Sequence, residues 1–206
     1  MSFLLEAAYI AASVLFIYGL KMLGRAETAR LGNRVSAAGM LLAIIATLLS
    51  SGLDYGYIAL GLLVGGAVGA LAARRVQMTQ MPEMVALFNG SGGLASLLIG
   101  WAEYLRIPEP NAFTAAAIFL AVLIGGVTFT GSLVAFAKLS GRLPGKPLLF
   151  DNQQLINAVL LGGALVVGVI FTLFPESAYL LLIAAILAAF ALGVLAVLPI
   201  GGADMP

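Results

Sequence analysis

The chain contains no cysteine and no histidine. Disulfides, thiol nucleophiles, imidazole bases and zinc sites built on those residues are therefore excluded within it. Charge is scarce as well: 9% of the 206 residues are Asp, Glu, Lys or Arg, where a soluble domain carries about 25%. Ten basic against nine acidic residues leave a net charge of +1, which gives no reason to expect a nucleic-acid partner. What is plentiful is apolar surface, 62% of the residues, together with 25 glycines. A soluble fold of this length could not hide that much apolar area. Disorder and a collagen-like chain are excluded by the same figures. The composition is that of an integral membrane protein.

A bilayer core about 30 Å thick calls for roughly 20 apolar residues per helix. Seven stretches meet that length, at 3–20, 35–51, 55–73, 84–102, 113–137, 155–174 and 177–198. Barrel strands would be about ten residues long with alternating polarity, and hydrocarbon leaves backbone groups no other partners than those of a helix. The expected fold is all-α: a polytopic transmembrane helix bundle, one membrane domain over 1–206. The first stretch is no secretory signal, because Glu6 stands where a basic residue would be required. Every Lys and Arg except Arg106 falls in a connection on one side: Lys21, Arg25, Arg30 and Arg34, then Arg74 and Arg75, then Lys138, Arg142 and Lys146. The positive-inside rule makes that side cytoplasmic and puts the N-terminus outside. Ser50-Ser51-Gly52-Leu53-Asp54 reads as a tight turn joining spans two and three, and Pro108, Pro110 and Pro175 punctuate outer turns. Pro206, after Met205, repeats the Met81-Pro82 pair that introduces span four. It reads as the opening of a further helix, so that the sequence would be a fragment of a longer protein.

Span four holds the most polar chemistry. At 100° per residue, Asn89, Gly92, Gly93, Ser96 and Gly100 share one face, while the rest is Leu, Ile, Val and Phe. Small residues permit close helix packing, and an amide hydrogen-bonds across such a contact. The same face would also serve as a polar lining around water or an ion. Span five carries a second stripe, Gly125, Thr128, Gly131, Ser132 and Ala135, whose hydroxyls commonly bond their own i−4 carbonyls. Gly61, Gly65 and Gly69 in span three form a glycine ladder suited to helix contact. Asn157 could cap span six, pack, or line a cavity. Gly90-Ser91-Gly92-Gly93-Leu94-Ala95 matches the dinucleotide fingerprint, with Glu109 where a ribose-binding acid would stand. The match is set aside, since the strand–turn–helix context is missing and the next apolar stretch is too long for a strand. No acid lies centrally in any span, so the chain alone has no carboxylate relay. The acids nearest helix ends are Glu6, Glu83, Asp151 and Asp204; Glu83, behind Pro82, suits the helix dipole.

Three segments in order, Met81-Pro82-Glu83-Met84-Val85-Ala86-Leu87-Phe88-Asn89-Gly90, Val127-Thr128-Phe129-Thr130-Gly131-Ser132-Leu133-Val134-Ala135-Phe136 and Ile200-Gly201-Gly202-Ala203-Asp204-Met205-Pro206, carry a resemblance. They are similar to the beta subunit of proton-translocating NAD(P) transhydrogenase, as are Ala7-Ala8-Tyr9-Ile10 and Lys146-Pro147. The resemblance implies the N-terminal part of a transmembrane domain shared with alpha subunits, in a multi-pass protein of the bacterial inner membrane that works as a dimer of the complex. It implies coupling of proton passage to hydride transfer between NADH and NADP⁺, the nucleotides being bound by soluble domains. This chain would then hold no hydride-transfer site, cofactor or metal, and the NADP(H)-binding domain of the parent subunit would lie beyond it.

By resemblance the proton pathway involves Asn89, Ser132 and Asp204, with Gly92, Gly93, Ser96 and Thr128 as further lining. Asn89 departs from the family, many of whose members have a proton-carrying His there. An amide does not titrate, so the titrating group is expected from a partner subunit or bound water. Two other readings compete: a secondary transporter or ion-antiporter subunit with a midplane site at a broken span four, and a structural membrane anchor.

Overall fold

The computed structural model describes residues 2–49, 53–107, 109–174 and 179–205. The turn expected at Ser50–Asp54, the punctuation at Pro108 and Pro175 and the opening role of Pro206 fall wholly or partly outside the described residues. Seven helices long and apolar enough to cross a membrane are present, and no strand occurs among the described residues. They are α1 (Ser2–Leu23), α2 (Ala29–Leu48), α3 (Tyr55–Arg75), α4 (Met81–Arg106), α5 (Ala112–Leu139), α6 (Gln153–Leu173) and α7 (Tyr179–Val197), with short 3₁₀ turns at Met78–Gln80 and Gly202–Asp204. The helices overrun several of the apolar windows. Helix α2 starts at Ala29 rather than at 35, because hydropathy marks the stretch suited to hydrocarbon while backbone hydrogen bonding continues through the polar turns at Arg30 and Arg34.

The chain divides into two compact units, Met1–Ala72 and Ala73–Pro206. In the first, α1 and α2 run antiparallel along a seam of small residues. Gly32, Gly39 and Ala46, seven apart, are buried on α2, and Ala12 is buried opposite on α1. A Cβ on Gly32 would stand 2.7 Å from the Gly19 carbonyl oxygen, and one on Gly39 would stand 3.0 Å from that of Ala12. Backbones this close gain dispersion contact that lipid tails do not match. Tyr9 and Thr47 share a hydroxyl hydrogen bond of 3.0 Å across the same pair. Tyr55, opening α3, donates its hydroxyl to the Leu48 carbonyl at the end of α2 (2.9 Å). Helix α3 buries none of its residues, and nothing described lies within 4 Å of a Cβ built on Gly61, Gly65, Gly66 or Gly69. The ladder expected to pack thus meets no described residue of its own unit. Spacing shows which residues share a face and is silent on what the face meets.

The second unit is built on α5. Helix α4 crosses it antiparallel, Gly93 against Gly125 and Gly100 against Ile118 and Val122. Helix α7 lies parallel to α5, Gly126 meeting Ala189 and Gly131 meeting Gly193. Thr130 donates to the Phe190 carbonyl across that contact (3.0 Å) and to its own i−4 carbonyl at Gly126 (3.1 Å). Helix α6 seats Gly168 beneath the ring of Phe119. Leu97, Val122, Phe171 and Leu182 are the largest fully buried side chains. One ring from each helix completes the packing: Tyr179 stacks at 6.4 Å on Tyr104, Tyr104 lies 5.4 Å from Phe171, and Phe171 lies 6.3 Å from Phe119. Asn111 caps α5 by accepting the Thr114 N–H at 2.9 Å. An N-cap of this kind is worth about 1 kcal/mol, so Asn111→Ala is expected to lower the unfolding free energy by that amount and Asn111→Asp to retain it, as read by thermal melting in detergent.

Candidate functional site

Pro82 and Glu83 occupy the first turn of α4, as their order in the sequence predicts. Two turns further along, Asn89 leaves the packed face and points its amide at α5. Its Nδ2 donates to Ser132 Oγ at 2.9 Å. Ser132 is 8% exposed while Asn89 is largely exposed. The pair sits in an open groove of about 420 Å³ whose side-chain polar groups are Asn89, Thr128 and Ser132. Apolar walls come from Val85 on α4, Val127 on α5, Val197 at the end of α7, and Ile200 and Met205 in the terminal segment. Gly90 is the reason the two helices approach here: a Cβ on it would stand 3.0 Å from Ser132 Cβ. Among the described residues nothing donates to Asn89 Oδ1, which leaves it available to water. Chemically the groove offers an amide and two hydroxyls within one polar patch, able to order water and to relay a proton between waters, and holding no group that ionises near neutral pH.

The other candidates separate along α4. Gly93 is buried at the crossing, its Cβ position 2.8 Å from the Gly125 carbonyl. Ser96 donates to the Ala121 carbonyl at 3.4 Å. Gly92 faces away from the crossing, and nothing described lies within 4 Å of a Cβ built on it. Packing and polar exposure therefore divide one face by depth, Asn89 on the groove and Gly93, Ser96 and Gly100 in the contact. Thr128 belongs to the groove. Asp204 does not line it; it is exposed on the 3₁₀ turn Gly202–Asp204, between the groove residues Ile200 and Met205. Asn157 lines a separate cavity of about 310 Å³ with Val127, Leu161, Leu192 and Ala196, its Oδ1 buried and without a partner among the described residues.

Two features correct the sequence reading. Helix α4 is continuous from Met81 to Arg106, so the broken helix that a midplane transporter site would need is missing there. Lys138, placed with the cytoplasmic loop charges, lies instead in the last turn of α5 at 3% exposure. Its Nζ donates to the carbonyls of Leu198, Ile200 (2.8 Å) and Lys146 (3.5 Å). No spacing rule signals this, because its acceptors are backbone atoms distant in sequence.

The dinucleotide-like run Gly90–Ala95 lies inside helix α4 with no strand before it. Its N–H groups are spent on helical hydrogen bonds, so it does not fit a pyrophosphate.

The family model for the NAD(P) transhydrogenase beta subunit matches residues 5–206. Two curated sequences named NAD(P) transhydrogenase subunit beta, both from Rhodospirillum rubrum and one of them from strain ATCC 11170, are each 41% identical over 209 residues, covering 97% of this chain. The chain spans 45% of the length of these relatives. With seven span-length helices, and with a match running almost from end to end, this multi-pass membrane chain belongs to the NAD(P) transhydrogenase beta subunit family.

Proposed function

We propose that the chain is the N-terminal membrane part of a proton-translocating NAD(P) transhydrogenase beta subunit in a bacterial inner membrane, with its N-terminus outside. In the whole complex a hydride passes from NADH to NADP⁺, giving NAD⁺ and NADPH, as protons cross the membrane. The nucleotides are held by soluble domains outside this chain, and alpha subunits complete the membrane domain of a dimeric complex. The chain's own contribution is passage of the proton. The observation that carries this reading is the Asn89–Ser132 hydrogen bond, a polar pair on two apolar helices, open to a groove and not sealed in the packing. An amide at membrane depth without partners costs a few kcal/mol, and here it is retained where packing alone would suit a small or apolar residue.

Asn89 orients water, and Ser132 and Thr128 extend the hydrogen-bonded line. Asp204, on the segment that forms one wall of the groove, carries the protonation state toward the NADP(H) domain, a coupling between two sites in the thermodynamic sense. Because Asn89 does not titrate, the ionising group comes from a partner subunit or from bound water.

The test is nucleotide-driven proton movement in sealed vesicles holding the complete complex. Supplying NADPH and NAD⁺ should acidify or alkalinise the lumen in step with hydride transfer, and an uncoupler should collapse the gradient while the redox reaction continues. Hydride transfer with no accompanying proton movement would refute the reading.

A further inference from the structure

We propose that Lys138 is a positioning residue that fixes the Asp204 segment to α5, and through it the wall of the Asn89 groove; the coupling role assigned to it rests on the function proposed above. Lys138 is buried to 3% exposure, and the single ion pair among the described residues is Arg106–Glu103. Its charge is met by backbone oxygens alone. The ammonium has three N–H donors and three carbonyl acceptors, at Leu198, Ile200 and Lys146.

Two of those acceptors follow α7, where a helix runs out of N–H partners for its last carbonyls and presents the negative end of its dipole. A cation reaching in from a neighbouring helix satisfies both at once. The same segment is tied to the loop after α5 by the Leu148 N–H on the Leu198 carbonyl (3.1 Å) and the Gly202 N–H on the Gly145 carbonyl (2.8 Å). Lys138 is the side chain that joins α5, the loop after it and the segment after α7.

Its position on α5 gives this junction a consequence for the groove. Ser132 lies less than two turns before Lys138 on the same helix. Ile200 and Met205, on either side of Asp204, line the groove that Ser132 opens into. One helix therefore carries both the hydroxyl that receives Asn89 and the ammonium that holds the opposite wall. An apolar side chain of similar length would fill the space and leave the Ile200 and Lys146 carbonyls without a donor among the described residues, an arrangement relieved by release of the segment.

The experiment uses the complete complex in vesicles. The 206 residues contain no thiol, so Ala203→Cys carries a nitroxide beside Asp204, any thiols elsewhere in the complex having been replaced. Lys138→Met is compared with the parent, and Lys138→Leu, which likewise has no donor, gives the same reading should the Met variant fail to assemble. The expected result is a shift of the spin label to a mobile spectrum and at least a fivefold fall in protons moved per hydride transferred, a ratio that a general loss of folded complex would leave unchanged. An immobile label in the variants overturns the latch, whatever the function of the complex. A mobile label with an unaltered proton-to-hydride ratio overturns the coupling role. A parent complex that moves no protons refutes the function proposed above and the coupling role with it, and the label readout then still decides the latch.

Discussion

Asn89→Leu is expected to lower nucleotide-driven proton movement in reconstituted vesicles at least tenfold while the complex still folds and assembles. Leucine matches the amide in size and suits both helix and lipid, so folding has no reason to fail. What disappears is the donor to Ser132 Oγ and one of three polar side chains in the groove. Water held against an apolar wall lacks the partners it needs. Stranding polar groups costs on the order of 1–3 kcal/mol, and each 1.36 kcal/mol is a factor of ten in rate. Asn89→His should behave oppositely. It keeps a hydrogen-bonding ring in place and introduces a side chain that ionises, so the pH–rate profile should change shape relative to that of the native complex. Native-rate proton movement in the Leu variant would show that the groove is not the path.

The second large effect belongs to the α4–α5 crossing. Gly93→Val is expected to destabilise the protein by about 3 kcal/mol, the upper end of the usual range for overpacking. The reason is that the obstacle is backbone on both sides. A Cβ on Gly93 stands 2.8 Å from the Gly125 carbonyl and the Phe129 nitrogen, and one on Gly125 stands 2.6 Å from the Gly93 carbonyl. No flexible side chain can swing aside, so the helices must part and the Asn89–Ser132 hydrogen bond with them. The neighbouring residue supplies the comparison. Gly92 has nothing within 4 Å, and Gly92→Ala should leave stability unchanged or raise it by up to about 1 kcal/mol through helix propensity. Thermal melts of the two variants in one detergent decide it; equal stability would mean that the crossing is looser than these distances imply.

The helices were legible because hydrocarbon admits few alternatives: long apolar runs interrupted by charge and Pro have one stable backbone solution. Their faces were legible in part. The α4 stripe combined two functions that a helical wheel superimposes, since projection discards depth; in three dimensions Gly93 and Gly100 pack while Asn89 opens to the groove. Neighbour identity was not legible at all. The α3 glycines looked like a contact and meet nothing described in their own unit, whereas the closest backbone approach in the first unit uses Gly19 and Gly32, residues with no conspicuous pattern in the sequence. Lys138 escaped for a related reason. Charge counting assigns a lysine at a helix end to water, and only the folded path of residues 198–200 reveals the oxygens that admit it to the interior.

The four rings of Tyr179, Tyr104, Phe171 and Phe119 meet where α4 and α6 end and where α5 and α7 begin. Aromatic pairs contribute about 0.5–1.5 kcal/mol each beyond their area burial, so a change of helix tilt that keeps these contacts would pivot at this pole. Any small change in tilt among its helices is therefore greatest at the far pole. Asn89, Ser132 and Lys138 all lie toward the far pole, where a tilt too small to disturb the rings would become a displacement that the Lys138 hydrogen bonds have to resist.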